Sequence, residues 1–318
     1  MKSNRDFLFL VSALSVIMFC ANAYAVEKGH ATTVPPELSV LEPYLKDQAE
    51  FENKIRAFDK LHVGIARAAY VSARKLEKEG DEAGARAASA EAQKNLALVK
   101  AAYELGLERF EQSAALHNFY GEVIHDFFGR PDDAAQHWRR AVHIDSRFAR
   151  AHCNFGMYTL HRGMYAMGME SMDTALRLEP NNPDFLYNMA QVYLVHAPQV
   201  MHIRKWDRGK VYREAMKMSE RTARLLPNDF DVLRDHALNY FLSEDFGVKV
   251  KWRDAAKAWH EARKHARTDA EMFNTWLNEA RVHIRNNDKR RSRECLDKAQ
   301  AIWPDSPVVK LLLEDYRE

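Results

Sequence analysis

Residues 153–183 decide the fold: Cys153-Asn154-Phe155-Gly156 opens a segment that ends on Ala175-Leu176-Arg177-Leu178-Glu179-Pro180, and Asn181-Asn182-Pro183 opens the next. Gly168 and Ala175 are seven residues apart, two helical turns, so both lie on one face where a neighbouring helix can come close. Met172 stands between them as a knob. Gly156 is a small residue well inside the preceding helix, and Pro180 stops the second one. The stretch therefore predicts a pair of antiparallel helices in close contact.

Working outward, the same spacing recurs along the chain. A small residue, another seven on and a helix-ending position five further on occur at Ala134, Ala141, Ser146; Ala215, Thr222, Pro227; Ala255, Ala262, Arg267; and Ser292, Ala299, Pro304. The knob positions are Trp138, Ser219, Trp259 and Leu296. Small residues at Gly121, Ala190 and Ala237 mark the preceding helices. The late small residues at 141, 175, 222, 262 and 299 are separated by 34, 47, 40 and 37.

These residues resemble the tetratricopeptide repeat (TPR) family, whose repeat of about 34 residues is a helical hairpin with small residues at the crossings and a terminal proline. The resemblance runs from about Ala114 to Pro304 and implies an all-α fold. The expected architecture is a right-handed α-solenoid of about five TPR-like hairpins, preceded by a long N-terminal helical hairpin. Intervals above 34 imply extra residues that fall in the turn between the paired helices or lengthen those helices, near Ala197 to Gly209, Glu244 to Val250 and Asn286 to Lys289. Arg267, where proline is usual, and Leu277, where a small residue is usual, depart from the pattern.

The flanks read differently. Lys2 and Arg5 precede an apolar run, Phe7 to Cys20, and Ala23-Tyr24-Ala25 supplies small residues where a signal peptidase reads. Residues 1–25 are expected to be a signal peptide cleaved after Ala25, and the protein to be exported, periplasmic or secreted. The run is short of the ~20 residues a membrane span needs, and Phe19 is too bulky for a lipoprotein signal before Cys20. Residues 26–36, with Gly29 and Pro35-Pro36, read as a tether. Residues 37–113 read as the long hairpin: Leu45, Phe51, Ile55, Phe58, Leu61, Ile65 and Ala69 form one stripe, and Leu96, Val99, Tyr103, Leu107 and Phe110 lie on the second helix. Residues 114–304 hold the repeats. Residues 305–318 read as a capping helix opened by Ser306-Pro307, since a repeat stack needs its last apolar face covered.

Composition narrows the function classes. A formal charge of +2 gives no global field for nucleic acid, and Cys153 with Cys295 cannot build a disulfide scaffold. Histidine spacing yields no metal motif: His117 and His125 are eight apart, His260 and His265 five apart, and His196 with His202 and Asp207 would need a loop to gather them. His152 diverges from Cys153 on a helix, and no nucleophile elbow, Walker loop or dinucleotide fingerprint occurs. The sequence thus predicts no enzyme, no metal and no cofactor.

Binding is the remaining expectation. The resemblance implies a groove lined by the first helix of each unit, here by Arg150, Asn154 and Met157, then Tyr187, Asn188 and Gln191, then Arg234. In family members that grip extended peptides, asparagine two positions before the small residue holds the ligand backbone; Asn154 and Asn188 match, and an amide can both donate and accept. Asp184, Asp231 and Asp235 in the same places argue against a carboxylate clamp. Trp206 with Arg204 and Lys205 in the 197–210 insertion reads either as an interface anchor or as a loop tucked onto its own unit. Residues 248–293 carry thirteen Lys and Arg against six Asp and Glu, ending in Lys289, Arg290, Arg291 and Arg293. That face is the alternative reading, docking on an anionic polymer or membrane surface. The expected partner is a protein or peptide, not nucleic acid.

Overall fold

The computed structural model describes residues 35–314, so the expected signal peptide, most of the tether and the last four residues of the expected capping segment lie outside the described residues. Fourteen α-helices and no strand occur among the described residues. The chain divides into two compact units, residues 1–144 and 145–318.

The first unit holds a long hairpin, α1 (Gln48–Glu79) and α2 (Glu82–Arg109), and a shorter one, α3 (Ala114–Phe128) and α4 (Pro131–Ile144). Asp47 caps α1 by accepting from the Glu50 amide, and Gly80 closes it in a left-handed conformation. Phe51, Ile55 and Phe58 are buried as the stripe predicts, but Leu61 and Ile65 are exposed. The buried face passes instead through Asp59, Ala66 and Ala73, because α2 presents Ala85, Ala92 and Leu96 there and small side chains let the two backbones approach. Tyr103 of α2 is buried and donates to Asp59 Oδ2 at 2.9 Å, which satisfies a carboxylate that burial would otherwise penalise.

The second unit contains α5 (Ala149–His161), α6 (Tyr165–Leu178), α7 (Pro183–Val195), α8 (Ala197–Arg204), α9 (Arg208–Leu225), α10 (Phe230–Asn239), α11 (Trp252–Arg263), α12 (Asp269–Arg285), α13 (Lys289–Ile302) and α14 (Pro307–Glu314). The pairs α5/α6, α7/α9, α10/α11 and α12/α13 are the predicted hairpins. Every small residue of the repeated spacing is buried, from Ala134 and Ala141 to Ser292 and Ala299, and so is every knob. Gly156 and Gly168 approach closely: a Cβ built on Gly168 would lie 2.8 Å from the Gly156 carbonyl oxygen. The extra residues of two intervals lie in helices. The 197–209 insertion is not an open loop but the helix α8, with Pro198 in its first turn and Ala197 and Val200 buried. The extra residues expected at 286–289 lie in α12 itself, which has 17 residues against 13 in α5, while both following turns have the same length. Val309 and Leu313 of α14 are buried against α12 and α13, with Ser306 capping the helix start.

Candidate partner-binding face

The first helices α5, α7 and α10 carry the residues expected to face a partner, and two adjacent positions of α7 reach the helices on either side. Asn188 Nδ2 donates to Cys153 Sγ of α5 at 3.7 Å, and Tyr187 Oη donates to Asp235 Oδ2 of α10 at 2.6 Å. The three helices therefore lie side by side within the second unit. Asn154, Met157, Tyr187, Asn188, Gln191 and Arg234 are half-buried and Arg150 is exposed.

Charge on this face is mixed. Arg234 donates through Nε and Nη2 to Asp235 Oδ1 at 3.0 and 2.9 Å, and through Nη1 to Asp231 Oδ1 at 2.5 Å. Burial works against the Arg234 charge, but Asp235 and Asp231 outweigh it and hold the guanidinium above the ordinary arginine value. Burial, and then the bond to Asp235, push the Tyr187 phenol above its usual range, so it is a neutral donor at any physiological pH. One guanidinium shared by two carboxylates leaves the α10 end acidic on balance. Such a face suits backbone amides or a basic segment of a ligand, and disfavours a free carboxylate.

The insertion residues do not join this face. Trp206 is half-buried and meets Tyr193 edge-on at 5.8 Å, while Lys210 Nζ sits 4.6 Å over its ring. Arg204 donates to Asp173 Oδ1 at 2.6 Å, tying the end of α8 to α6. Lys205 is exposed and ends α8 with a positive φ of 56°. The insertion thus folds onto its own unit. What sequence reading missed is the surface it creates: Met164, Tyr165 and Met167 of the α6 start and Pro198, His202 and Ile203 of α8 line an open, largely apolar pocket of about 610 Å³.

Lys289, Arg290, Arg291 and Arg293 are exposed, but three of them have acidic partners within a turn: Arg290 with Glu294 at 3.1 Å, Arg291 with Asp288 at 3.6 Å and Arg293 with Asp297 at 2.9 Å. The basic excess is partly neutralised along its own helix.

Histidines pair in ways the spacing did not indicate. His117 Nδ1 lies 2.9 Å from His137 Nδ1, and His125 pairs with Asp126. Asp207 caps α9 by accepting from the Lys210 amide rather than approaching His196 or His202. One mixed cluster escaped the sequence reading, because its members come from two helices: Glu279 and His283 of α12 with Cys295 of α13, all buried. Burial pushes the Cys295 thiol up to about 12; for Glu279, His283 and Arg263 outweigh burial and hold the carboxyl below its usual value.

Solved structures share this arrangement of hairpins. YrrB, a TPR protein with an unusual peptide-binding site, matches with a TM-score of 0.51 at 18% identity, over 67% of this chain and 97% of its own. The C-terminal part of a TPR repeat-containing protein from Cytophaga hutchinsonii matches with a TM-score of 0.51 at 18% identity, over 80% of this chain and 97% of its own. The fold is that of the tetratricopeptide repeat proteins. No protein-family model and no curated protein matches the chain. The TPR hairpins account for the buried small residues and the side-by-side first helices alike. Among the described residues, no helix is long and apolar enough to cross a membrane.

Proposed function

We propose that this chain is a non-catalytic adaptor of the cell envelope that holds a protein or peptide segment against the first helices of its TPR hairpins. What supports this reading is that α7 bonds to the first helices on either side of it, through Asn188 to Cys153 of α5 and through Tyr187 to Asp235 of α10, and that Asn154, Asn188 and Gln191 are half-buried amides on α5 and α7. Half-buried polar side chains between rigid helices are positioned to bind a ligand with little loss of their own freedom. YrrB, which shares the fold, has a peptide-binding site. Export rests on the basic and apolar leader ending in Ala23-Tyr24-Ala25.

Affinity capture of the mature chain from envelope extract, beside the Asn154→Ala/Asn188→Ala double variant, tests the groove. Proteins lost only from the variant, with melting unchanged, support the reading; identical capture by both chains removes it. The N-terminal residue of the purified native protein tests export, with Val26 expected. The alternative of an anionic surface at residues 248–293 is weakened by the acid partners of Arg290, Arg291 and Arg293, and would show itself as capture stripped by moderate salt.

A further inference from the structure

Glu279 and His283 are four residues apart on α12, so both face the same way, and α13 brings Cys295 up to them across the last hairpin. One ligand atom from each lies within 4.8 Å of the others. His283 is 5% exposed, yet its Nδ1 has no hydrogen-bond partner, and its Nε2 lies 3.7 Å from Glu279 Oε1, beyond hydrogen-bond reach. A buried imidazole nitrogen without a partner is a rare arrangement that calls for a ligand, and the other nitrogen already faces the Glu279 carboxylate. The 3.7 Å separation is close to the edge, about 3.4 Å, between two donor atoms that each stand ~2.0–2.2 Å from one tetrahedral ion. Arg263 of α11 donates to the other carboxylate oxygen, Oε2, and lies 3.5 Å over the Trp276 ring. It therefore fixes the Glu279 carboxylate with Oε1 on the His283 side, as outer partners of metal ligands do.

We infer that Glu279, His283 and Cys295 form a site for one zinc-class divalent ion, with a water as the fourth ligand, that staples α12 to α13. Sulfur, imidazole and carboxylate together select such an ion over magnesium or calcium. Binding takes Cys295 as the thiolate, and its proton leaves to solvent. The pocket then gains one positive charge rather than two, which the neighbouring Arg263 tolerates more readily.

The test is titration of the purified, chelator-treated chain with Co²⁺, whose thiolate complexes absorb in the near ultraviolet and which Zn²⁺ displaces. One equivalent of Co²⁺ giving a thiolate band is expected, retained in Cys153→Ser and lost in Cys295→Ser. His283→Gln should weaken binding by at least about tenfold. Thermal melting with added Zn²⁺ should rise for the unsubstituted chain and stay put for Cys295→Ser. Absence of the band in the folded, unsubstituted chain overturns the inference whatever the variants do, and so does a band that depends on Cys153 instead. Neither result touches the α5–α7–α10 face.

Discussion

The same repeat position is filled in opposite ways by two neighbouring second helices. In α6 the knob is Met172, fully buried in an apolar cluster with Cys153, Leu160 and Met189, beside the glycine pair Gly156 and Gly168. In α9 the knob is Ser219, also buried, and α10 supplies it with partners: Asn239 Nδ2 donates to Ser219 Oγ at 3.1 Å, and Ser219 Oγ is 3.0 Å from His236 Nδ1. The donor direction runs consistently from Asn239 through Ser219 to a His236 with a bare Nδ1. One seam is held by packing, the other by a closed polar chain. The repeat register is indifferent to which is used, provided the neighbouring helix completes it.

The largest break should come at the packed seam. In Gly168→Val, a Cβ would stand 2.5 Å from Leu160 Cγ and 2.8 Å from the Gly156 carbonyl oxygen. Backbone cannot yield as a side chain can, so α5 and α6 must separate. We expect a loss of about 3 kcal/mol or more, read from urea unfolding. Truncating the knob, Met172→Ala, should cost about 2–5 kcal/mol through lost burial and the cavity left behind. The equivalent truncation in the other seam, Ser219→Ala, removes little volume but strands the Asn239 amide, so about 1–3 kcal/mol is expected. A Ser219→Ala variant as damaging as Met172→Ala would mean that the polar seam also carries packing weight.

Acid separates the seams without mutation. Burial, with a smaller contribution from Arg224, pushes His236 down to about 4. Its folded value is below the unfolded one of about 6.5, so the unfolded chain binds the proton more readily. The neutral histidine therefore costs the fold nothing above about pH 6.5, and stability is lost progressively as pH falls from there toward 4. The loss from this one group approaches about 3 kcal/mol at the acid end. His137, pushed down to about 4 by burial in the first unit, adds in the same direction. Urea midpoints measured from pH 7 to 4 should fall less steeply in His236→Leu than in the unsubstituted chain; parallel slopes would place the acid sensitivity elsewhere.

The steric part of the fold was legible in the sequence. Gly168 and Ala175, or Ser292 and Ala299, must be small because two helices cross there, and that requirement leaves a seven-residue mark wherever it acts. Features made by neighbours were not legible. Nothing along α1 announces that Leu61 and Ile65 face solvent, since the alanines that draw Ala66 and Ala73 inward lie on α2. The eight residues of α8 are too few to display a period. Ser219 is the polar residue among the knobs, and its partners, His236 and Asn239, lie on the following helix. The repeat register points to the α5–α7–α10 residues, but the bonds that join Asn188 to Cys153 and Tyr187 to Asp235 exist only in the folded chain.

The smallest expected effect is the sharpest test of the two-seam view. If the polar chain matters as a closed set, removing all its members should cost far less than removing one. Ser219→Ala, His236→Leu and Asn239→Leu together replace each polar side chain by an apolar one, Leu keeping the branching of Asn, and leave no donor or acceptor of the chain behind. Tyr212 still donates to the Asn239 carbonyl, a backbone group the substitution does not touch. Replacement of a satisfied polar set by apolar groups of similar shape is close to neutral, within about 1.5 kcal/mol. The triple variant should therefore unfold near the unsubstituted midpoint at pH 7, above Ser219→Ala alone, and should lose the acid dependence that His236 contributes. Additive losses would instead mean that each bond stabilises α9 against α10 on its own, and the resemblance of the polar seam to the packed one would end there.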